Sequence, residues 1–376
     1  MAMSTRWYRL LLSFGLWATW PAGQSRSEPA VPRWSPRAAA RYLDGRAGWW
    51  LGWSGSARGQ GTACLSCHTT MPFALARPAL AARLGEKEAG AVETRLIDNL
   101  KKRVENWDQV VADATSVQDP FLPFYPSGRK PSALGTEAVL NALVLVSHDA
   151  RRARGVPTAP ARKALGHLWG QQQKNGAWLW LDFGLNPWEK DGEYYGAALA
   201  ALAVGTAGVG YYERADVRPR VAALTRYLRA RSPGQPLHHR VVGLWASSRL
   251  PGLLTGPDRK ELIEEVLNAQ EADGGWSLAT LGRSASGRGG WTAQGVYPEG
   301  GVSDGYATGL VVLGLKRAGV AAEDPRLRKG IGWLAGGQKD GAWPATYLNR
   351  RRDPQHNVGK FMRDAATAFA VLALTE

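Results

Sequence analysis

The chain has little cysteine. Cys64 and Cys67 are the only two in 376 residues, which excludes any disulfide framework beyond one local bridge. Methionine is scarce, with 4 residues, and so is histidine, with 6, so few side chains are available as soft or imidazole metal ligands. Acidic residues are also short: 32 against 47 basic ones, a formal net charge of +15. The excess forms no long tract, since no Lys/Arg run exceeds three residues, as in Arg350-Arg351-Arg352. Aromatic residues do not interleave with the basic ones, and nucleic acid is not an expected partner. The charge fits a solvated surface, an acidic redox partner protein or an anionic membrane surface. No alternating apolar run marks a strand of any length. No second cysteine pair or His-x3-5-His spacing completes a zinc site.

What the chain does have is Cys64-Leu65-Ser66-Cys67-His68. This is the Cys-x-x-Cys-His spacing of c-type haem attachment. Two thiols about one helical turn apart add to the two vinyl groups of one porphyrin, and the adjacent imidazole of His68 reaches the iron. A local disulfide or half of a zinc site is the competing use. The expected cofactor is one covalent haem c, held by Cys64, Cys67 and His68.

The N-terminus agrees with export. Arg6 and Arg9 form a charged start, Leu10 to Trp20 an apolar core, and Pro21-Ala22-Gly23 a small-residue exit, as in a secretory signal. The exit is a poor Ala-x-Ala, so an uncleaved anchor stays open. The expected organisation is a signal over 1–23, a linker over 24–36, and a single domain over 37–376. The expected location is the periplasm or another exported compartment, where c-type haem is attached.

A repeat decides the fold. Gln172 to Trp178, Gln270 to Trp276 and Gln338 to Trp343 each end a helical stretch with Gln, a polar turn, then Gly-x-Trp. Tyr42-Leu43 and Tyr227-Leu228 are degenerate copies. Between the copies run apolar, Ala/Gly-rich stretches beginning near 70, 135, 193, 237, 303 and 364, each apolar nearly all round and so buried on every side. Amphipathic charged stretches begin near 37, 88, 160, 215, 257 and 326. Six such alternations predict an all-α (α/α)6 toroid, with a charged outer ring and an apolar inner ring.

The Gln-x2-3-Gly-x-Trp copies resemble the QW repeats of the squalene-hopene cyclase and prenyltransferase superfamily, over about residues 37–376. The resemblance implies a structural role for Gln172, Gln270, Gln338 and their tryptophans, tying adjacent hairpins. It does not extend to the chemistry. The family's triterpene cyclases protonate an alkene with an Asp-x-Asp-Asp acid, and no such motif occurs here. Its protein prenyltransferases hold zinc with Asp, Cys and His, and both cysteines here belong to the haem motif.

Glu137, Glu193, Asp304 and Asp364 recur near the starts of successive inner helices. They are expected either to complement helix N-termini or to stand as acid/base candidates on the rim of a central cavity. Closure of the ring brings residues 356–364 near the haem motif, with Met362 preferred over His356 as sixth iron ligand. His238 and His239 are expected to be packing or surface residues. The long Gly-rich loop 279–301, carrying Trp291 and Tyr297, reads as a lid or docking segment. The functional expectation is an exported monohaem electron carrier whose cavity takes a quinone-like or isoprenoid ligand. The alternative is a haem-dependent oxidoreductase or cyclase-like enzyme acting on an isoprenoid or lipid.

Overall fold

The computed structural model describes residues 34–113, 129–152, 156–283, 291, 301–349 and 353–376. The expected signal and most of the linker lie outside them, as does most of the loop 279–301. Residues 32–376 form one unit.

Among the described residues, twelve helices of eleven or more residues alternate between a half-exposed and a buried kind. The half-exposed ones are α1 (Pro36–Gly52), α3 (Ala91–Glu105), α5 (Ala159–Gly170), α7 (Arg218–Arg231), α9 (Gly256–Asn268) and α11 (Pro325–Gly336). The buried ones are α2 (Thr70–Leu84), α4 (Lys130–Arg152), α6 (Glu193–Thr206), α8 (Leu237–Ser247), α10 (Gly305–Arg317) and α12 (Phe361–Thr375). The observed starts fall within five residues of those read from the sequence.

Local chemistry explains the starts. Five of the six half-exposed helices carry proline in their first turn, where its fixed φ suits the helix and its missing N–H costs nothing. Ser35, Thr255 and Asp324 add side-chain caps. These helices bury one stripe, such as Leu96, Ile97, Leu100 and Val104 of α3.

The buried helices are built for close approach. In α6 every residue from Tyr194 to Gly205 is buried, and five of them are alanine. A Cβ at Gly309 of α10 would sit 2.6 Å from the backbone carbon of Phe369 in α12, so only glycine allows this crossing. The six helices touch in cyclic order: α2 with α4, α4 with α6, α6 with α8, α8 with α10, α10 with α12, and α12 back on α2.

The Gln-to-Trp endings join the half-exposed helices. Gln172 donates to the carbonyl of Arg220 at the start of α7, and Gln270 to that of Arg326 at the start of α11. Gln338 bonds Ser35 at the start of α1. The indoles of Trp178, Trp276 and Trp343 point back, donating to carbonyls at Leu168, Val266 and Leu334. All three tryptophans are fully buried.

One feature of the backbone was not expected. Ala57–Arg58 and Thr62–Ala63 pair as a small antiparallel ribbon just before the Cys-x-x-Cys-His segment. It is too short to show as a strand pattern.

Candidate functional site

The loop carrying Cys64, Cys67 and His68 is held from three sides. Asn99 of α3 accepts from the Ala63 amide at 2.8 Å and donates to the Ala63 carbonyl at 2.9 Å. The Trp50 indole of α1 donates to the Cys64 carbonyl at 2.7 Å. Ser66, between the two cysteines, works as a cap: its hydroxyl accepts from the Thr69 and Thr70 amides. Its own amide donates to the Thr70 hydroxyl at 2.9 Å. Neither thiol is in a disulfide. Burial pushes both thiols above their ordinary value, so in the folded chain they stay protonated.

Both cysteines and His68 line a cavity of about 520 Å³. Its wall is largely apolar and aromatic, with Trp50, Trp53, Trp180, Phe183, Trp188 and Phe361 among the lining residues. The segments leading into α2 and α6 and the first turns of α4 and α12 all contribute, so the cavity opens where the starts of these four helices converge. The Phe361 ring lies on the His68 imidazole at 3.8 Å between centroids and 22° between planes. Trp50 meets it edge-on at 5.1 Å. Such stacking fixes the ring while leaving its nitrogen-bearing edge directed by hydrogen bonds.

The polar members of the wall are few. Glu137 lines it and is clamped by Arg103 of α3 through two bonds of 2.5 and 2.8 Å. Burial opposes its ionisation, but Arg103 outweighs this and holds the carboxyl below its ordinary value. Glu189 lines it too, and burial pushes this carboxyl up to about 7, against the Phe183 amide it accepts from. Asn186 contributes a buried Oδ1 with no hydrogen-bond partner, a polar atom that asks for a ligand group.

The remaining sequence candidates are placed differently. Met362 is buried and lines the cavity with His68. His356 is exposed, and its Nδ1 accepts from the Val358 amide as the cap of a short 3-10 turn. Glu193 is exposed at the start of α6. Asp304 is buried away from the cavity wall, taking the Tyr306, Ala307 and Leu278 amides, and so caps α10. Asp364 is buried behind His68 rather than on the cavity wall. Its carboxylate accepts from Arg46, Tyr42 and Thr69. His238 and His239 are fully buried among Tyr195, Tyr306 and Trp291.

Several supporting residues escape a reading of the sequence. Arg46, Thr69, Asn99 and Phe361 act across 36 to 318 residues of chain, and nothing local marks them. Ser66 carries a weak signal, since a hydroxyl one turn before a helix is a capping pattern. Among the described residues no group of three His, Cys, Asp or Glu is arranged to hold a metal ion. A porphyrin supplies four ligands of its own, so a haem site requires no such group.

No family model matches the chain, and no curated protein does. Solved structures do. A glycosidase variant aligns over 90% of this chain and 97% of its own, at 13% identity and a TM-score of 0.51. That likeness shows a shared, mostly helical fold. An ent-copalyl diphosphate synthase from Streptomyces platensis aligns over 81% of this chain and 50% of its own, at 17% identity and a TM-score of 0.43.

Proposed function

We propose that this chain is an exported monohaem c-type protein built on an (α/α)6 toroid of the squalene-cyclase and prenyltransferase kind, transferring electrons at the cavity. Cys64 and Cys67 would carry the porphyrin, His68 would ligate the iron, and Met362 is the candidate for the opposite ligand. The observation that carries the reading is that all four residues line one apolar cavity. The cyclic contacts of the buried helices support the toroid. Its fit to haem rests on the aromatic wall, the two cysteines that line it and the unpartnered Asn186 Oδ1.

Bound haem would supply a one-electron couple within an apolar wall, whose low dielectric tunes its potential. The chain's own residues hold the attachment loop through Asn99, Trp50 and Ser66. They exclude water with Trp53, Trp180 and Trp188, and orient the imidazole with Phe361. A redox partner protein or a quinone-like, isoprenoid ligand would exchange electrons at the cavity mouth. The basic surface suits an acidic partner or an anionic membrane.

The test is maturation in a periplasm equipped for haem attachment, followed by a denaturing gel stained for haem. A stained band that disappears in Cys64→Ala and Cys67→Ala supports the reading. A folded wild-type chain without haem overturns it.

A second reading uses the same wall without haem. Glu189 is pushed up to about 7 while Glu137 is held low, and such divergence marks acid/base pairs. A hydrolase acting on glycosides would then share more than its fold with the glycosidase. Turnover of nitrophenyl glycosides, lost in Glu189→Gln, would support it. The clamp of Arg103 on both Glu137 oxygens favours the first reading.

A further inference from the structure

His68 stands at the end of a chain of hydrogen bonds that leaves the cavity and enters the protein. Its Nδ1 lies 2.8 Å from the Thr69 hydroxyl. That hydroxyl donates to Asp364 Oδ2 at 2.7 Å. Asp364 in turn takes Arg46 on both oxygens, at 2.7 and 2.9 Å, and the Tyr42 hydroxyl at 2.9 Å. Arg46 is itself fixed by the side-chain and backbone oxygens of Asn357. Thr69 is 2% exposed and Asp364 1%, so water does not compete for these bonds.

The proton count settles the direction. An arginine fork and a phenol all donate to Asp364, which is the environment of an ionised carboxylate. Thr69 has a single hydroxyl proton, and it goes to that carboxylate. The Thr69 oxygen therefore meets His68 with a lone pair, and Nδ1 must bear the imidazole proton. The ring's own lone pair is then on Nε2.

We propose that Asp364, acting through the Thr69 hydroxyl, is a positioning residue that sets the His68 tautomer and raises the basicity of Nε2 toward the haem iron. The inference rests on the proposed haem reading for its purpose. A hydrogen-bonded partner on the far nitrogen of a ligating histidine fixes the ring and strengthens it as a donor. A stronger donor favours ferric iron and lowers the potential. The device also ties the ligand to closure of the ring, because Arg46 belongs to α1, Asp364 to α12, and His68 precedes α2.

The experiment uses the full chain labelled with 15N-histidine, in wild type, Thr69→Val and Thr69→Ser. In the haem-loaded, reduced protein the His68 Nδ1–H should be slow to exchange with solvent. Thr69→Val should speed that exchange about tenfold, the loss of one hydrogen bond, and raise the midpoint potential. Thr69→Ser should restore both. A merely structural role for Thr69 would change melting and leave potential and exchange alone. Unchanged potential and exchange in Thr69→Val would overturn the relay with haem attachment intact. If the chain is isolated without haem, the haem reading fails by itself. The 15N shifts of His68 then still test the relay, and an Nε2–H tautomer in wild type would overturn it.

Discussion

Gln338 bonds both backbone groups of Ser35, 303 residues earlier: its Oε1 accepts from the Ser35 amide at 2.7 Å and its Nε2 donates to the Ser35 carbonyl at 3.2 Å. This pair joins the last half-exposed helix to the first. Beside it Gly341 has φ +79°, and a Cβ there would meet the Ala38 carbonyl oxygen at 2.5 Å.

Gln338→Ala should therefore destabilise the chain by about 1 kcal/mol, the net worth of surface-facing hydrogen bonds. Gly341→Ala should cost about 2 kcal/mol or more, because both backbone conformation and space oppose it. Urea unfolding compares them. A Gly341→Ala variant as stable as wild type would mean the seam is not closed there.

Met362→Ala should convert a low-spin haem spectrum to high spin, since the side chain is buried and on the same wall as His68. His356→Ala should leave the spectrum unchanged, its imidazole being exposed and engaged in a cap. The reverse pattern in visible spectra would reassign the sixth ligand.

Arg103→Gln should be far more costly than loss of a surface pair. Arg103 and Glu137 are both nearly inaccessible, at 4% and 12%, and removing the cation strands a buried carboxylate, worth about 3–5 kcal/mol. Lys101→Gln breaks an exposed pair with Asp98 and should cost less than about 0.5 kcal/mol. Equal losses in denaturant titrations would show that Glu137 finds another partner.

Stability should fall in acid through His239. Burial lowers this imidazole from 6.5 to about 4. Between those values the unfolded chain binds a proton that the folded chain does not. Unfolding takes up that proton, so stability drops as pH falls from about 6.5 to about 4. The term is on the order of 3 kcal/mol across the window. Asp304 acts oppositely: burial raises it from 3.8 to about 7, so its contribution is lost as pH rises through that range. Melting of wild type against His239→Gln isolates the histidine, and parallel pH curves for the two would contradict it.

Incubation with squalene should yield no hopene. The chain lacks an Asp-x-Asp-Asp acid, and Asp304 is occupied by three backbone amides. Hopene in the products would assign the acid to a residue on the cavity wall.

Element positions were legible before folding because they depend on neighbours in sequence. Proline in first turns, Gly-x-Trp at helix ends and unbroken Ala/Gly runs act within a few residues, so starts at 70, 193 and 237 could be read directly. The Cys-x-x-Cys-His segment was equally plain, because its spacing is itself local. The acids were not separable in this way. Glu137, Glu193, Asp304 and Asp364 all stand near the starts of apolar stretches in the sequence, yet one is clamped on the cavity wall, one is solvated, one caps a helix and one stands behind His68. Those differences come from partners supplied by distant segments, Arg103, Arg46 and the Leu278 amide among them. Met362 and His356 are six residues apart; the sequence favoured Met362, and packing buries it and exposes His356. Hydrogen bonding and burial at a site are set by whatever the fold brings within about 3 Å, and for His68, Thr69 and Asp364 that neighbour came from nearly 300 residues away.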